Sequence, residues 1–383
     1  VLNVLDTDGA VRAAPELMGR PSAWSQTPTT LAALLPSSSR TTPGHIFTQL
    51  QRVSEWEGDG DARRPRLGKD GRAVLAQLDD TLPTISDAVE SGDGSTRLVL
   101  QTADGHAIEA VHMPRAHTKV PRTTFCISSQ VGCAMGCTFC ATGTMGIVRN
   151  LSAGEIVGQV LALMRRFGPQ TGHHLNVVFM GMGEPLHNLA HVSRAVEILC
   201  DPSGIGMSRQ RITVSTSGLV PRIDDFAGLA VRPLLSVSIN ATTDETRGRV
   251  MPVNRAFNLQ TLKACLQRFP FRRGEKVLLA YVLLRGENDS VDDAERLADF
   301  AAGLPANVNL IPLNEHAHTT HKAPDDEWIQ SFSAHLYAAL QTRGFQGVLT
   351  TRNNRGRDIR GACGQLVQAS TASGRARRHA VAD

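Results

Sequence analysis

From Thr124 onward the chain alternates short strand-like segments with longer helical ones, and that alternation limits the possible folds more than any other feature. Apolar and β-branched residues crowd Thr124–Ser128, Asn176–Met180, Arg211–Ser215, Leu234–Ile239, Val277–Leu284 and Asn307–Pro312. Helical patterning marks Ser152–Phe167, Leu189–Cys200, Pro221–Leu229, Asn258–Phe269, Val291–Ala302 and Asp325–Arg343. Ser152 and Glu155 form an S-x-x-E capping box ahead of Ile156, Val157, Val160, Leu161 and Met164, and Gly168 supplies a stop. Strands separated by whole helices cannot pair through tight hairpins, so the sheet is expected to be parallel with crossover helices. Six such units are too few for a closed eight-stranded barrel and suit a partial, curved (β/α)6 barrel, an α/β fold.

Ahead of the barrel, Arg97–Thr102 and Ala107–Met113 read as a β-hairpin turning at Ala103-Asp104-Gly105. Residues 1–92 contain loop-like stretches at Pro21–Thr30 and Pro36–Pro43, a charged turn at Gly58–Pro65, and short helical patterns at His45–Val53 and Gly71–Leu78. They predict a small, mostly helical N-terminal accessory domain. The expected division is therefore 1–92, a hairpin extension over 93–118, the barrel over 119–345, and a C-terminal loop with a basic tail over 346–383.

The 40 basic and 36 acidic residues leave a net charge of +4, which permits a polyanionic partner without demanding one. Aromatic content of 4% argues against a sheet that stacks single-stranded bases. The longest apolar run, Val277–Leu284, is too short to cross a bilayer, and the first residues show neither a basic n-region nor an apolar h-region. A cytoplasmic protein with no membrane partner is expected. Seven cysteines, four of them from Cys126 to Cys140, fit metal chemistry in a reducing compartment better than a disulfide framework.

The sharpest motif is Cys133-x-x-x-Cys137-x-x-Cys140. Three thiolates in one loop can hold three irons of a 4Fe-4S cluster and leave the fourth open to a ligand. A zinc knuckle is the alternative, with Cys126 as fourth ligand. The spacing resembles the signature of the radical S-adenosylmethionine (SAM) superfamily, in which the open iron is chelated by SAM and reductive cleavage yields a 5′-deoxyadenosyl radical. Polar groups at other strand ends suit a SAM site at the same mouth. Gly183 and Glu184 follow the second strand in Gly-Met-Gly-Glu-Pro, and Glu184 can accept from the SAM ammonium. Ser215 ends the third strand, Ser238-Ile239-Asn240 ends the fourth, and Asn314 follows the sixth.

The run from Cys126 through Gly143 looks like that of the class A radical-SAM RNA methyltransferases, the RlmN/Cfr type. Matching runs continue at Arg149-Asn150-Leu151, Asn176–Leu186, Val214–Gly218, Asn309–Asn314 and Gly361–Leu366. The resemblance spans residues 105–368 and is faint over residues 1–90. It implies that Cys363 receives a methyl group from one SAM, and that a second SAM on the cluster supplies the radical, two per turnover. It further implies that Cys126 resolves an enzyme–RNA adduct by forming a disulfide with Cys363, and that Glu109 is the proton acceptor. Methylation of an adenine ring carbon, usually C2, follows from the same resemblance. So do an rRNA and possibly tRNA substrate, a flavodoxin- or ferredoxin-type electron donor, and a monomer.

The chemistry makes such a relay intelligible, because adenine C2 is not nucleophilic and cannot take a methyl cation directly. Ser238-Ile239-Asn240 stands where the family usually has Ser-Leu-His, and Leu313-Asn314-Glu315-His316 stands in place of Trp-Asn-Pro. These departures leave two alternatives: the same relay acting on adenine C8 or a non-RNA substrate, and an RNA-binding protein stabilised by a cluster or zinc without turnover. Cys200 and Cys265 fall in amphipathic helices and read as small buried hydrophobes. The basic residues Arg352, Arg355, Arg357 and Arg360, just ahead of Cys363, are expected to contact phosphate.

Overall fold

Parallel pairing is the organising fact of the computed structural model, which describes residues 2–5, 11–13, 83–115, 122–168, 175–201, 205–352, 356 and 358–366. Strands β1 (Leu2–Leu5) and β2 (Val11–Ala13) pair antiparallel. The helices expected over 45–53 and 71–78, and the Arg375–Arg378 tail, lie outside the described residues. Strands β3 (Thr84–Glu90), β4 (Thr96–Gln101) and β5 (Ala107–Arg115) form an antiparallel meander, joined antiparallel to β6 (Arg122–Cys126). The hairpin extension therefore has three strands and begins at Thr84, before residue 93.

Strand β6 pairs parallel with β9 (Leu175–Phe179), after a separate hairpin of β7 (Gln130–Cys133) and β8 (Gly146–Asn150). From β9 the sheet runs parallel through β10 (Ile212–Thr216), β11 (Leu234–Ser238), β12 (Val277–Leu283), β13 (Ala306–Pro312) and β14 (Leu349–Thr351). The ten-stranded sheet ends at β3 on one side and β14 on the other, so it stays open as the six-unit reading requires. Strand β14 is a seventh parallel strand that three residues of sequence did not reveal.

Helices α1 (Ala153–Phe167), α2 (Leu189–Cys200), α3 (Val220–Ala227), α4 (Asp244–Val250), α5 (Leu259–Arg268), α6 (Val291–Ala301) and α7 (Asp326–Thr342) make the crossovers. Only α4, a charged Asp-Glu-Thr-Arg-Gly-Arg segment with little apolar period, has no counterpart in the sequence reading. The capping boxes at Ser152/Glu155 and Ser290/Asp293 are both closed. Arg149 donates to both Glu155 oxygens and both Asp104 oxygens, pinning the hairpin turn to the start of α1.

Strand parity decides what faces the barrel mouth. Ile212, Val214, Val237, Val277, Leu279, Val308 and Leu310 are wholly buried in the apolar core. The alternate residues Ser215, Ser236, Ser238, Ala280 and Asn309 line a cavity instead. Small and polar residues on that face leave room that the apolar set would fill. Because the Ser152 cap supplies an acceptor to the Glu155 N–H, Ser152→Ala should cost about 1 kcal/mol and Ser152→Gly only a few tenths, read by urea unfolding.

Candidate active site

The three motif cysteines are placed by a loop that doubles back on itself. Cys133 ends β7, and Cys137 and Cys140 follow in the connection to β8. The Cys140 N–H donates to the Cys137 carbonyl (3.1 Å), and the Gly143 N–H donates to the Cys140 carbonyl (3.0 Å). A Cβ at Gly143 would stand 2.8 Å from the Cys137 oxygen, so only glycine permits this closure. The Thr138 N–H bonds the Val250 carbonyl at the end of α4 (3.1 Å).

All three cysteines line one cleft of about 220 Å³, and Cys363 lines it with them. Burial pushes the Cys133 thiol up to about 12, with Cys140 and Glu184 adding to the effect. Cys137 is raised well above its ordinary value by burial and by its two sulfur neighbours, and Cys140 is raised by burial. Clustered thiols that resist ionisation on their own are the donor set of an electron-poor metal centre, which would deprotonate them on binding. Among the described residues no three His, Cys, Asp or Glu side chains converge as they would on a single metal ion. The zinc knuckle also lacks its fourth ligand: Cys126 ends β6, packs in the core and does not line the cleft. Three thiols on one loop at one cleft fit three irons of a cluster.

Of the residues expected to hold SAM, Gly183, Glu184, Ser215, Ser238, Asn240 and Asn314 line this cleft. Ile239 does not, because the same strand parity sends its side chain into the core. Gly183 has φ +102°, and a Cβ there would meet the Gln130 Cβ at 2.6 Å. The Glu184 carboxylate, 3% exposed, accepts from the Ser217 N–H (2.7 Å) and the Leu186 N–H (3.1 Å), while burial raises its pKa. Ser215 donates to the Phe179 carbonyl (2.6 Å). Asn240, at φ +55°, spends its amide on the protein: its oxygen accepts from the Val282 N–H (2.8 Å), and its nitrogen points at the Met251 sulfur (3.3 Å).

The C-terminal loop is docked against the cluster loop. The Ala141 N–H donates to the Gly364 carbonyl (2.7 Å), Thr142 Oγ1 to the Leu366 carbonyl (2.7 Å), and Asn314 Nδ2 to the Cys363 carbonyl (3.1 Å). Cys126 approaches from beneath; burial drives its thiol up to about 12, the Cys363 sulfur adds to this, and Arg352 opposes it. Glu109 also lies outside the cleft, bound to Arg97 (2.6 Å) in a buried ion pair. The Arg97 side chain packs beside Gly361 of the Cys363 loop.

One cation at the site escaped the sequence reading, and another has a partner that reading did not give it. Arg247 of α4 is wholly buried and donates to the carbonyls of Ser217 (2.7 Å), Ser238 (3.1 Å) and Ile239 (3.0 Å), tying the ends of β10 and β11 together. Burial pulls its pKa down to about 10, against the Cys137 sulfur and Asp244. Nothing in a short charged helix announces such a role. Arg352 is not turned outward to phosphate: it lines the cleft and bonds Cys363. Arg360 is exposed, and Arg355 and Arg357 lie outside the described residues.

Residues 127–301 match the family model of the radical SAM superfamily. The chain is 44% identical to the dual-specificity RNA methyltransferase RlmN of Geotalea uraniireducens, over 83% of this chain and 90% of that one. It is 42% identical to RlmN of Paracoccus denitrificans, over 84% and 82% of the two chains. Among solved structures it superposes on a radical SAM methyltransferase from Sphaerobacter thermophilus with TM-score 0.77 and 38% identity, covering 93% of this chain and 99% of that one.

Gly143→Ala should sharply reduce the iron taken up on anaerobic reconstitution while the far-ultraviolet circular dichroism stays unchanged. Gly248→Ala, where a Cβ would enter open space, should keep full iron.

Proposed function

Since the chain belongs to the RlmN family of dual-specificity RNA methyltransferases within the radical SAM superfamily, we propose that it methylates C2 of adenosine in 23S rRNA and tRNA, using Cys363 as the methyl carrier. The observation that carries this reading is the position of Cys363, more than two hundred residues from Cys140 in sequence and yet lining the same cleft. The family implies a 4Fe-4S cluster and SAM, for which Cys133, Cys137 and Cys140 would be the protein ligands. That pair supplies one-electron cleavage of SAM and, through it, hydrogen-atom abstraction.

Everything else falls to the chain. Ser215, Ser238 and the Gly181–Glu184 turn present small and polar surface at the cleft, where a nucleoside and an amino-acid group can be bound. Cys363 accepts a methyl group as a thioether and presents it to the adenine ring. Cys126 is the thiol that closes on Cys363 to free the product. Its burial keeps it protonated until that step, because a thiol at about 12 is almost wholly neutral near pH 7. Glu109, buried beneath the Cys363 loop with Arg97, is the proton acceptor. Two SAM molecules are consumed per turnover, and a flavodoxin- or ferredoxin-type protein supplies the electron. No helix of the described residues is long and apolar enough to cross a membrane; a cytoplasmic location and a monomeric state belong to the same proposal.

Cys363→Ala should abolish methyl transfer to RNA while reductive cleavage of SAM persists. Nucleoside mass profiling of RNA from cells with and without the gene reads the outcome. Loss of 2-methyladenosine supports the assignment, loss of 8-methyladenosine moves it to C8, and full methylation by the variant overturns the carrier role.

A further inference from the structure

Arg352 follows β14, and its own N–H donates to the Leu310 carbonyl (2.8 Å), so its side chain starts from a fixed point on the barrel rim. Nη1 then donates to the Cys363 sulfur at 3.1 Å. The side chains that act on the guanidinium are two cysteines, Cys363 first and Cys126 after it, and together they raise its pKa. No carboxylate among the described residues pairs with it. A half-buried cation that the fold offers to thiols and to no acid is unusual, because a desolvated charge without an opposite partner is costly.

Two hydrogen bonds hold the main chain at Cys363 and just after it. Its carbonyl accepts from Asn314, and the next carbonyl accepts from the Ala141 N–H. What the backbone does not fix is χ1, which has three staggered wells. The sulfur has to meet an electrophilic methyl carbon in the cleft and later the sulfur of Cys126 beneath it, so one orientation cannot serve throughout.

We propose that Arg352 is the positioning residue of the methyl relay: its guanidinium holds the Cys363 sulfur in the cleft-facing rotamer that accepts the methyl group, and releases it once that sulfur becomes a thioether. The inference rests on the reading of Cys363 as carrier. In the step concerned, a bond forms between the Cys363 sulfur and the methyl carbon of SAM, and the S–CH3 bond of SAM breaks. S-adenosylhomocysteine departs, and the thiol proton passes to water. A thiol carrying partial negative charge is a good acceptor for a guanidinium, whereas a thioether is a weak one. Methylation thus loosens the contact that prepared it, and the loaded side chain becomes free to turn toward the adenine.

The test uses the full-length, anaerobically reconstituted protein with Cys363 unmethylated, and compares wild type with Arg352→Gln and Arg352→Lys. The rate of Cys363 methylation at saturating SAM is followed by peptide mass spectrometry, and SAM affinity by equilibrium dialysis. Loss of one charge-assisted hydrogen bond should slow Arg352→Gln by about ten- to hundredfold with SAM affinity unchanged, and Arg352→Lys should recover most of the rate. Equal rates in all three proteins overturn the proposal. So does a rate loss matched by an equal loss of SAM affinity, or one that lysine does not recover. Wild-type protein that never methylates Cys363 would sink the carrier reading itself, a failure visible without any variant.

Discussion

Two hydrogen bonds between loops distant in sequence hold this site together: Ala141 N–H to the Gly364 carbonyl, and Thr142 Oγ1 to the Leu366 carbonyl. They join the loop of Cys133, Cys137 and Cys140 to the loop of Cys363. Each is short and one is fully buried, so breaking it would leave an unsatisfied polar group away from water. Gln365 and Asn314 extend the seam through the carbonyls of Glu315 and Cys363. Without this seam, Cys363 would be a thiol on a short loop past the last strand of the sheet.

Buried charge is the second constraint. Glu184, Arg247, Arg352 and the Arg97–Glu109 pair are set around a cleft that also gathers four sulfurs. Arg247 and Glu184 answer the cost of burial with main-chain hydrogen bonds at strand ends, which fixes the rim of the barrel as rigidly as packing would. Arg352 has a sulfur for a partner instead, and that difference separates a scaffold cation from one placed to act.

How far the sequence could be read follows from how local each signal is. The six barrel strands and their main helices were legible because hydrophobic period and capping are properties of neighbouring residues, as at Ser152 and Glu155. Strand β14 and helix α4 were not, one being too short and the other too polar to show a period. The strand β3 was hidden because its half-exposed pattern resembles loop, and only pairing with β4 reveals it. At the site, spacing grouped Cys133, Cys137 and Cys140, and places after strands picked out Ser215, Ser238 and Asn314, all of which line one cleft. Ile239, grouped with Ser238 and Asn240 in the sequence, turns its side chain into the core because alternate residues of a strand end face opposite sides.

The sequence by itself determined the parallel α/β architecture and the three-cysteine loop, since each is written in residues close together or in a motif of fixed spacing, and its resemblance to a family singled out Cys363 as the proposed carrier. Only the tertiary structure decided that Cys126 lies in the core beneath the cleft, that Glu109 belongs to Arg97, and that Arg352 turns inward to sulfur. Cys126 and the Cys363 loop are far apart in the chain, while Arg97–Glu109 and Arg352–Cys363 meet across a hairpin and a loop. Side-chain direction there is set by strand register and by which loop docks on which, and neither quantity is carried by local composition.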